Sequence, residues 1–149
     1  MEVSLCVRKE SGVSVESIDL HPTKKWVVVG TEDGRMTVWD YSADAPIAVH
    51  QFTKGRTEVR FIARKSWVAV GSRDGIVHIV DENGKRLFHR FEAHKAKVRC
   101  MVVHPTKSLL ITGAASPENS IKTWDLENDF RNERKFIGKP LISCARWVG

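Results

Sequence analysis

Cysteine is scarce in this sequence, and each copy stands alone. Cys6, Cys100 and Cys144 are odd in number and far apart, so they build neither a disulfide framework nor a paired metal knuckle and read as reduced thiols. No stretch reaches the roughly 18–20 uncharged apolar residues that cross a bilayer. The opening MEVSLCVRKE lacks the basic start and long apolar run of a secretory signal. A cytoplasmic protein is expected. No segment sustains a 3.6-residue apolar period between caps, so helices should be nearly absent. Phosphate-binding Gly-rich loops and Gly-x-Ser-x-Gly elbows are missing as well. The six histidines, His21, His50, His78, His89, His94 and His104, show no His-x-x-x-His spacing. The sequence therefore leads us to expect no catalytic residues, no metal site and no cofactor.

What is present is ordinary in amount and unusual in arrangement. Hydrophobic residues make up 42% and charged residues 28% of 149 positions, which suits one soluble globular domain. The formal net charge of +6 comes from 24 basic and 18 acidic residues. They interleave in VRKESGVSVES and LENDFRNERK, as on a solvated mixed surface. No basic stripe alternates with aromatics, so a nucleic-acid partner is not expected.

The arrangement is a repeat. Val38-Trp39-Asp40 recurs as Ile79-Val80-Asp81 and as Thr123-Trp124-Asp125, at spacings of 41 and 44 residues. A second marker keeps the same phase: His21-Pro22-Thr23-Lys24 returns as His104-Pro105-Thr106-Lys107, with Ala63-Arg64-Lys65 between them. Short β-rich runs, Val27-Val28-Val29, Trp67-Val68-Ala69-Val70 and Leu109-Leu110-Ile111, each lead to a glycine (Gly30, Gly71, Gly113) and read as buried strands. Asp33-Gly34 and Asp74-Gly75 then predict two-residue type I′ hairpin turns. Strands should follow at Arg35–Asp40 and Ile76–Asp81, with more polar outer strands near 46–52 and 85–92. The third copy lacks the Asp-Gly pair and reads Gly113-Ala-Ala-Ser-Pro-Glu-Asn-Ser120, so its hairpin should be wider.

A period of about 40–45 residues, four short strands and a terminal Trp-Asp is the signature of a WD-repeat propeller blade. The expected fold is all-β: one partial WD-repeat domain over 1–149. Its blades lie near 13–52, 57–92 and 96–137, and the first strand of a further blade lies at 140–149. Asp33, Gly34, Trp39, Asp40, Asp74, Gly75, Asp81, His94, Trp124 and Asp125 are the structural markers of the repeat. One blade cannot bury both its faces, so neighbours must stack, and Trp39 and Trp124 are expected to fill the space between blades. Three copies are too few to close a ring, so the end faces near Trp39 and Trp147 should expose apolar surface. Association with another propeller or with a second copy is expected there.

The stretch Phe61-Ile62-Ala63-Arg64-Lys65-Ser66-Trp67-Val68, then Phe91-Glu92-Ala93-His94 and Val98-Arg99-Cys100-Met101, closely resembles the first propeller of the coatomer beta-prime family. The resemblance implies a protein-binding role in the COPI vesicle coat, in transport between Golgi and ER. Coatomer subunits or cargo tails would be the partners, and the membrane would be met only through the coat. It also implies a channel-facing site for dilysine tails. At the positions where that family holds the peptide carboxylate, this chain has Ser14 and Glu16; an aromatic is replaced by Glu32, and acidic residues by Ala96 and Ala115. Arg99 is the clear match, with Arg60 a second if the alignment carries a deletion there. Each lost charge-assisted bond costs about 1.5–3 kcal/mol, so dilysine recognition should be gone. The alternative is a generic scaffold or substrate-receptor fragment that kept the blades and lost that pocket.

Overall fold

The computed structural model describes residues 12–137 apart from 119 and 129. Three antiparallel four-stranded meanders account for nearly all of them. The first sheet is β1 (Val15–Leu20), β2 (Trp26–Thr31), β3 (Arg35–Asp40) and β4 (Ala45–Gln51). The second is β5 (Glu58–Ile62), β6 (Trp67–Gly71), β7 (Ile76–Asp81) and β8 (Leu87–Glu92). The third is β9 (Val98–Val103), β10 (Leu109–Ala114), β11 (Ser120–Asp125) and β12 (Arg131–Ile137). The single helical element among the described residues is a 3₁₀ turn at Ala63–Lys65. β1 lies against β5 and β5 against β9, so the innermost strands run side by side, as in consecutive propeller blades. The fourth-blade strand expected at 140–149, with Trp147, lies outside the described residues.

The middle sheet explains the apolar runs. Val68, Val70 and Val80 face the first sheet and pack with Val28, Met36 and Val38. Ala69, Val77 and Ile79 face the third and pack with Met101, Leu110 and Trp124. A sheet covered on both faces loses the apolar-polar alternation of a half-exposed one. Each fully buried Val or Ile contributes about 1.5–3 kcal/mol. The glycine that ends β6 belongs to the same packing, since a Cβ on Gly71 would come within 2.7 Å of the Val98 side chain. In all three sheets the register slips in the third strand just before the Trp-Asp position, at Val38/Trp39, Ile79/Val80 and Thr123/Trp124. Such a bulge adds local twist.

Three expectations need correction. The Asp-Gly hairpins have three residues (32–34) and four residues (72–75) between their strands rather than two-residue type I′ turns. Gly34 N–H donates to Thr31 O and Gly75 N–H to Ser72 O, both at 3.2 Å, and only the glycines carry positive φ, 86° and 83°. The aspartate side chains decide this. Asp33 accepts from the Thr31 hydroxyl and the Arg35 amide, Asp74 from the Ser72 hydroxyl and the Ile76 amide. These bonds hold the aspartate in an ordinary turn and leave the left-handed step to glycine.

The second correction concerns Trp39. Trp124 is 6% exposed and fills the space between the second and third sheets, whereas Trp39 is half-buried and belongs to neither apolar layer. Its counterparts Val80 and Trp124 each face the preceding sheet, and no described sheet precedes the first. The outer strand of the second sheet also begins at Leu87 rather than 85. Gly84 at φ 73° and the bond from Lys85 N–H to Asn83 Oδ1 extend the turn before it. The third hairpin is wider, as expected, with five residues between Ala114 and Ser120.

Candidate interaction site

The repeat markers come together as a side-chain chain across the second and third blades. Trp124 Nε1–H donates to Thr112 Oγ1 at 2.9 Å. Thr112 Oγ1 lies 2.7 Å from His94 Nε2, and His94 Nδ1 lies 2.6 Å from Glu118 Oε2. Burial pushes the His94 imidazole below its ordinary pKa, against the pull of Glu118. The ring is therefore neutral: Nε2 accepts the Thr112 hydroxyl and Nδ1–H donates to the carboxylate. Burial favours the protonated form of Glu118, but bonds from Ser120 and His94 outweigh it and hold its pKa below the usual range.

Glu118 thus does in the third blade what the missing aspartate of the Asp-Gly pair does in the second. There Asp74 Oδ2 accepts the Thr53 hydroxyl at 3.1 Å. Thr53 is the counterpart of His94, because Phe52 and Ala93 bond in the same way to Gly34 O and Gly75 O. Asp40 and Asp125 close the third-to-fourth strand turns, accepting the backbone amides of Ser42 and Glu127 at 2.9 and 2.8 Å. For Asp81 the backbone makes the turn bond, from its N–H to Arg86 O at 2.9 Å.

At the two His-Pro markers the histidine ring closes the turn that follows it. His21 Nδ1 accepts the amides of Thr23 and Lys24, and His104 Nδ1 those of Thr106 and Lys107. These turns also fasten blades together. His21 Nε2 and Lys24 meet Glu82 of the second blade, and Lys65 Nζ meets Glu127 of the third at 2.8 Å.

On the innermost strands a cavity of about 270 Å³ opens between β1 and β5. Val15 and Ile18 form its apolar wall, and Glu16, Ser17, Arg56, Glu58 and Arg60 its polar one. Glu58 is 2% exposed, and burial pushes its carboxyl pKa up although Arg60 and Arg56 draw it down. Its Oε1 accepts from Arg60 Nη2 at 3.0 Å and from Ser17 Oγ at 3.3 Å. Oε2 has Arg56 Nη2 at 3.6 Å and no hydrogen bond, and the buried Arg56 Nε is likewise unpartnered. Arg56 Nη1 turns to Glu16 Oε2 at 3.0 Å. The Ser17 hydroxyl oxygen also accepts from Val59 N–H and Arg60 Nη1, both at 3.1 Å. Serine, two guanidiniums and two carboxylates give this pocket a charged, hydrogen-bonding wall.

Of the two arginines singled out from the sequence, Arg60 lines this pocket and Arg99 stands half-buried on β9, one strand further round. The sequence reading missed Arg56, Ser17 and Glu58. Their signal was present: Glu58 and Arg60 are charges set into the apolar run of β5, at positions where β9 has Cys100 and Val102. Thr112 and Glu118 were also missed. Among the described residues, no group of three His, Cys, Asp or Glu is placed to hold a metal ion, and no helix is long and apolar enough to cross a membrane.

Comparison with known proteins fits this geometry. The family model for "WD domain, G-beta repeat" matches residues 4–40 and 85–125. The nuclear distribution protein nudF of Aspergillus terreus is 27% identical over 169 residues, which cover 96% of this chain and 37% of that protein. Coatomer subunit beta' of Rattus norvegicus is 31% identical over 61 residues, 40% of this chain and 7% of that one. The chain thus spans about a third of the first relative's length and a small part of the second's. The crystal structure of the computationally designed Ika4 protein superposes with a TM-score of 0.77 at 19% identity, covering 95% of this chain and 84% of that one, and so shares the fold. Three stacked four-stranded sheets, a tryptophan-threonine-histidine-carboxylate chain and the matching family model together place this chain in the WD-repeat family of propeller proteins.

Proposed function

We propose that the chain is a non-enzymatic docking scaffold whose ligand, a segment of another protein, engages the inner-strand pocket, with Arg60 and Arg99 as the cations that face it. The observation that carries this reading is the polar cavity at β1 and β5, with Glu58 buried and half-partnered inside it. Buried polar groups are nearly always hydrogen-bonded, so the open Oε2 of Glu58 and Nε of Arg56 leave bonding capacity that a ligand in this pocket could use. WD repeats are, as a family, protein-interaction modules, and this pocket is where the blades' inner strands present side chains to a ligand.

The finer reading places the scaffold in the COPI coat, in the cytoplasm and at Golgi and vesicle membranes through the coat. The Phe61–Val68 stretch and the 31% identity to coatomer subunit beta' support it. The match to a nuclear distribution protein over 96% of the chain supports a generic scaffold instead. On either reading we expect no dilysine tail as the ligand, given Ser14, Glu16, Glu32, Ala96 and Ala115. A second contact is a blade seated on the outer face of the first sheet, from a partner or a second copy. Ile18 and Leu20 are 52% and 62% exposed there, at positions where the second sheet has the buried Val59 and Phe61. Affinity capture of the tagged chain from cell extract tests the coat reading: coatomer subunits should be retained above a control propeller. Their absence would leave the generic scaffold.

A further inference from the structure

The loops that join second to third strands, and those that lead from one blade into the next, meet along one end of the sheets. Arg73 packs its aliphatic stem on Gly55, beside Lys54. Gly75 sits against the carbonyls of His94 and Ala96, and Ala115 N–H donates to Lys97 O at 2.9 Å. Lys54, Arg73, Lys95 and Lys97 therefore line one continuous rim across the second and third blades. Lys54, Arg73 and Lys95 are exposed and Lys97 half-exposed.

Four carboxylates stand near them: Asp33, bridged to Gly55, is engaged by Thr31 and Arg35, Glu92 is exposed at the end of β8, and internal bonds engage Asp74 and Glu118. Asp74 accepts from Ser72, Ile76 and Thr53. Glu118 is held by His94, by Lys95 N–H at 3.3 Å and by Lys122 at 3.8 Å. Among the described residues, the ammonium and guanidinium heads of Lys54, Arg73, Lys95 and Lys97 form no ion pair with these carboxylates, whose ion pairs run to Arg35, His94 and Lys122. Four such cations in a row create a positive potential that attracts and orients anionic groups. Arginine at the centre of the row suits bidentate carboxylate or phosphate contacts.

We infer that this rim binds an anionic segment of a partner polypeptide, rich in Asp and Glu or carrying phosphorylated side chains. The inference rests on the scaffold reading and adds the chemistry of its partner. A polypeptide fits better than a flat anionic surface, because the rim runs into Arg56 and the cavity beyond it, where Val15 and Ile18 offer an apolar seat. The same charges would repel a lysine-rich tail.

The test is fluorescence anisotropy with labelled peptides on one backbone: Asp/Glu-rich, phosphoserine-bearing, serine-substituted and Lys-rich, alongside phosphatidylserine vesicles. At least one anionic peptide should bind about tenfold or more tighter than the serine control and weaken as salt rises. Its identity separates carboxylate from phosphate as the group recognised. Lys54→Glu/Arg73→Glu/Lys95→Glu should abolish the preference. Lys25→Glu/Lys107→Glu, at the opposite ends of the strands, should leave it intact, and thermal melts of both should match the native chain. If the triple variant melts early, Lys54→Gln and Lys95→Gln, which remove charge at exposed positions, read the same loss. Equal binding of the serine control, indifference to the rim substitutions, or binding of vesicles with no anionic peptide would overturn the inference. Coatomer capture without anionic-peptide binding would remove the rim and spare the scaffold; the opposite pattern would remove only the coat reading.

Discussion

Thr112 holds two buried bonds at once: it accepts from Trp124 Nε1 and donates to His94 Nε2. A Thr112→Val substitution keeps the shape and removes both bonds, leaving a tryptophan N–H and a histidine nitrogen without partners in the core. Such orphaned groups cost about 1–3 kcal/mol each. We expect Thr112→Val to lower the denaturant midpoint by the equivalent of at least about 1 kcal/mol, as read by chemical unfolding followed through tryptophan fluorescence. An unchanged midpoint would mean that this chain of bonds is not a source of stability. The corresponding residues of the first two blades, Val29 and Val70, show why the sequence alone did not identify Thr112. Only the third blade has a histidine and a tryptophan placed for a hydroxyl to join. Trp124 and His94 were legible as repeat markers because their spacing repeats. Glu118 was not, because the aspartate it replaces sits two positions earlier in the other blades' loops and a longer excursion brings it back.

At the scale of the strand, the repeat was legible because the middle sheet is buried on both faces, which makes Trp67–Gly71 and Ile76–Asp81 read as nearly unbroken apolar runs. The hairpins were misread for a local reason. Asp-Gly favours a type I′ turn when the aspartate can adopt positive φ, but a hydroxyl two residues earlier, Thr31 or Ser72, ties the carboxylate into a different loop. The inner-strand cluster was hard to see because charge alternation in β5 resembles that of any exposed strand. The glycine ending β6 gives the element-scale prediction. Val98 is fully buried against it, so Gly71→Ala forces the second and third sheets apart, whereas alanine would otherwise suit a strand better than glycine. The expected loss is about 1–3 kcal/mol, measured as a drop in melting temperature. A neutral or stabilising result would show that the sheets pack less closely at this point.

At the scale of the described residues as a whole, three stacked sheets set their inner strands side by side, and their second-to-third-strand loops gather at one end. Function then follows from which side chains those strands and loops carry. In this chain they are a buried glutamate between two arginines, Arg99 further round, and a cationic rim. The outer face of the first sheet, with Ile18, Leu20 and the half-buried Trp39, is apolar where its counterparts in the other blades are covered. We read it as a seat for a further blade, and because Ile18 also lines the inner-strand pocket the two surfaces meet at β1. Fold and repeat phase were written in the sequence as periodicity. The charge cluster was not, because Glu16, Arg56 and Glu58 come from two blades and meet only when these stack.

The claim that the inner-strand arginines face a protein ligand is tested most directly by quantitative capture from extract. The native chain is compared with an Arg99→Gln variant and an Arg60→Gln/Arg99→Gln double variant, each confirmed as folded by its thermal melt. The account predicts that the protein captured most strongly by the native chain falls about tenfold or more with the double variant and measurably with Arg99→Gln alone, in keeping with about 1.5–3 kcal/mol for each charged hydrogen bond lost. Undiminished capture by both folded variants would contradict it and place the ligand on another face of the blades.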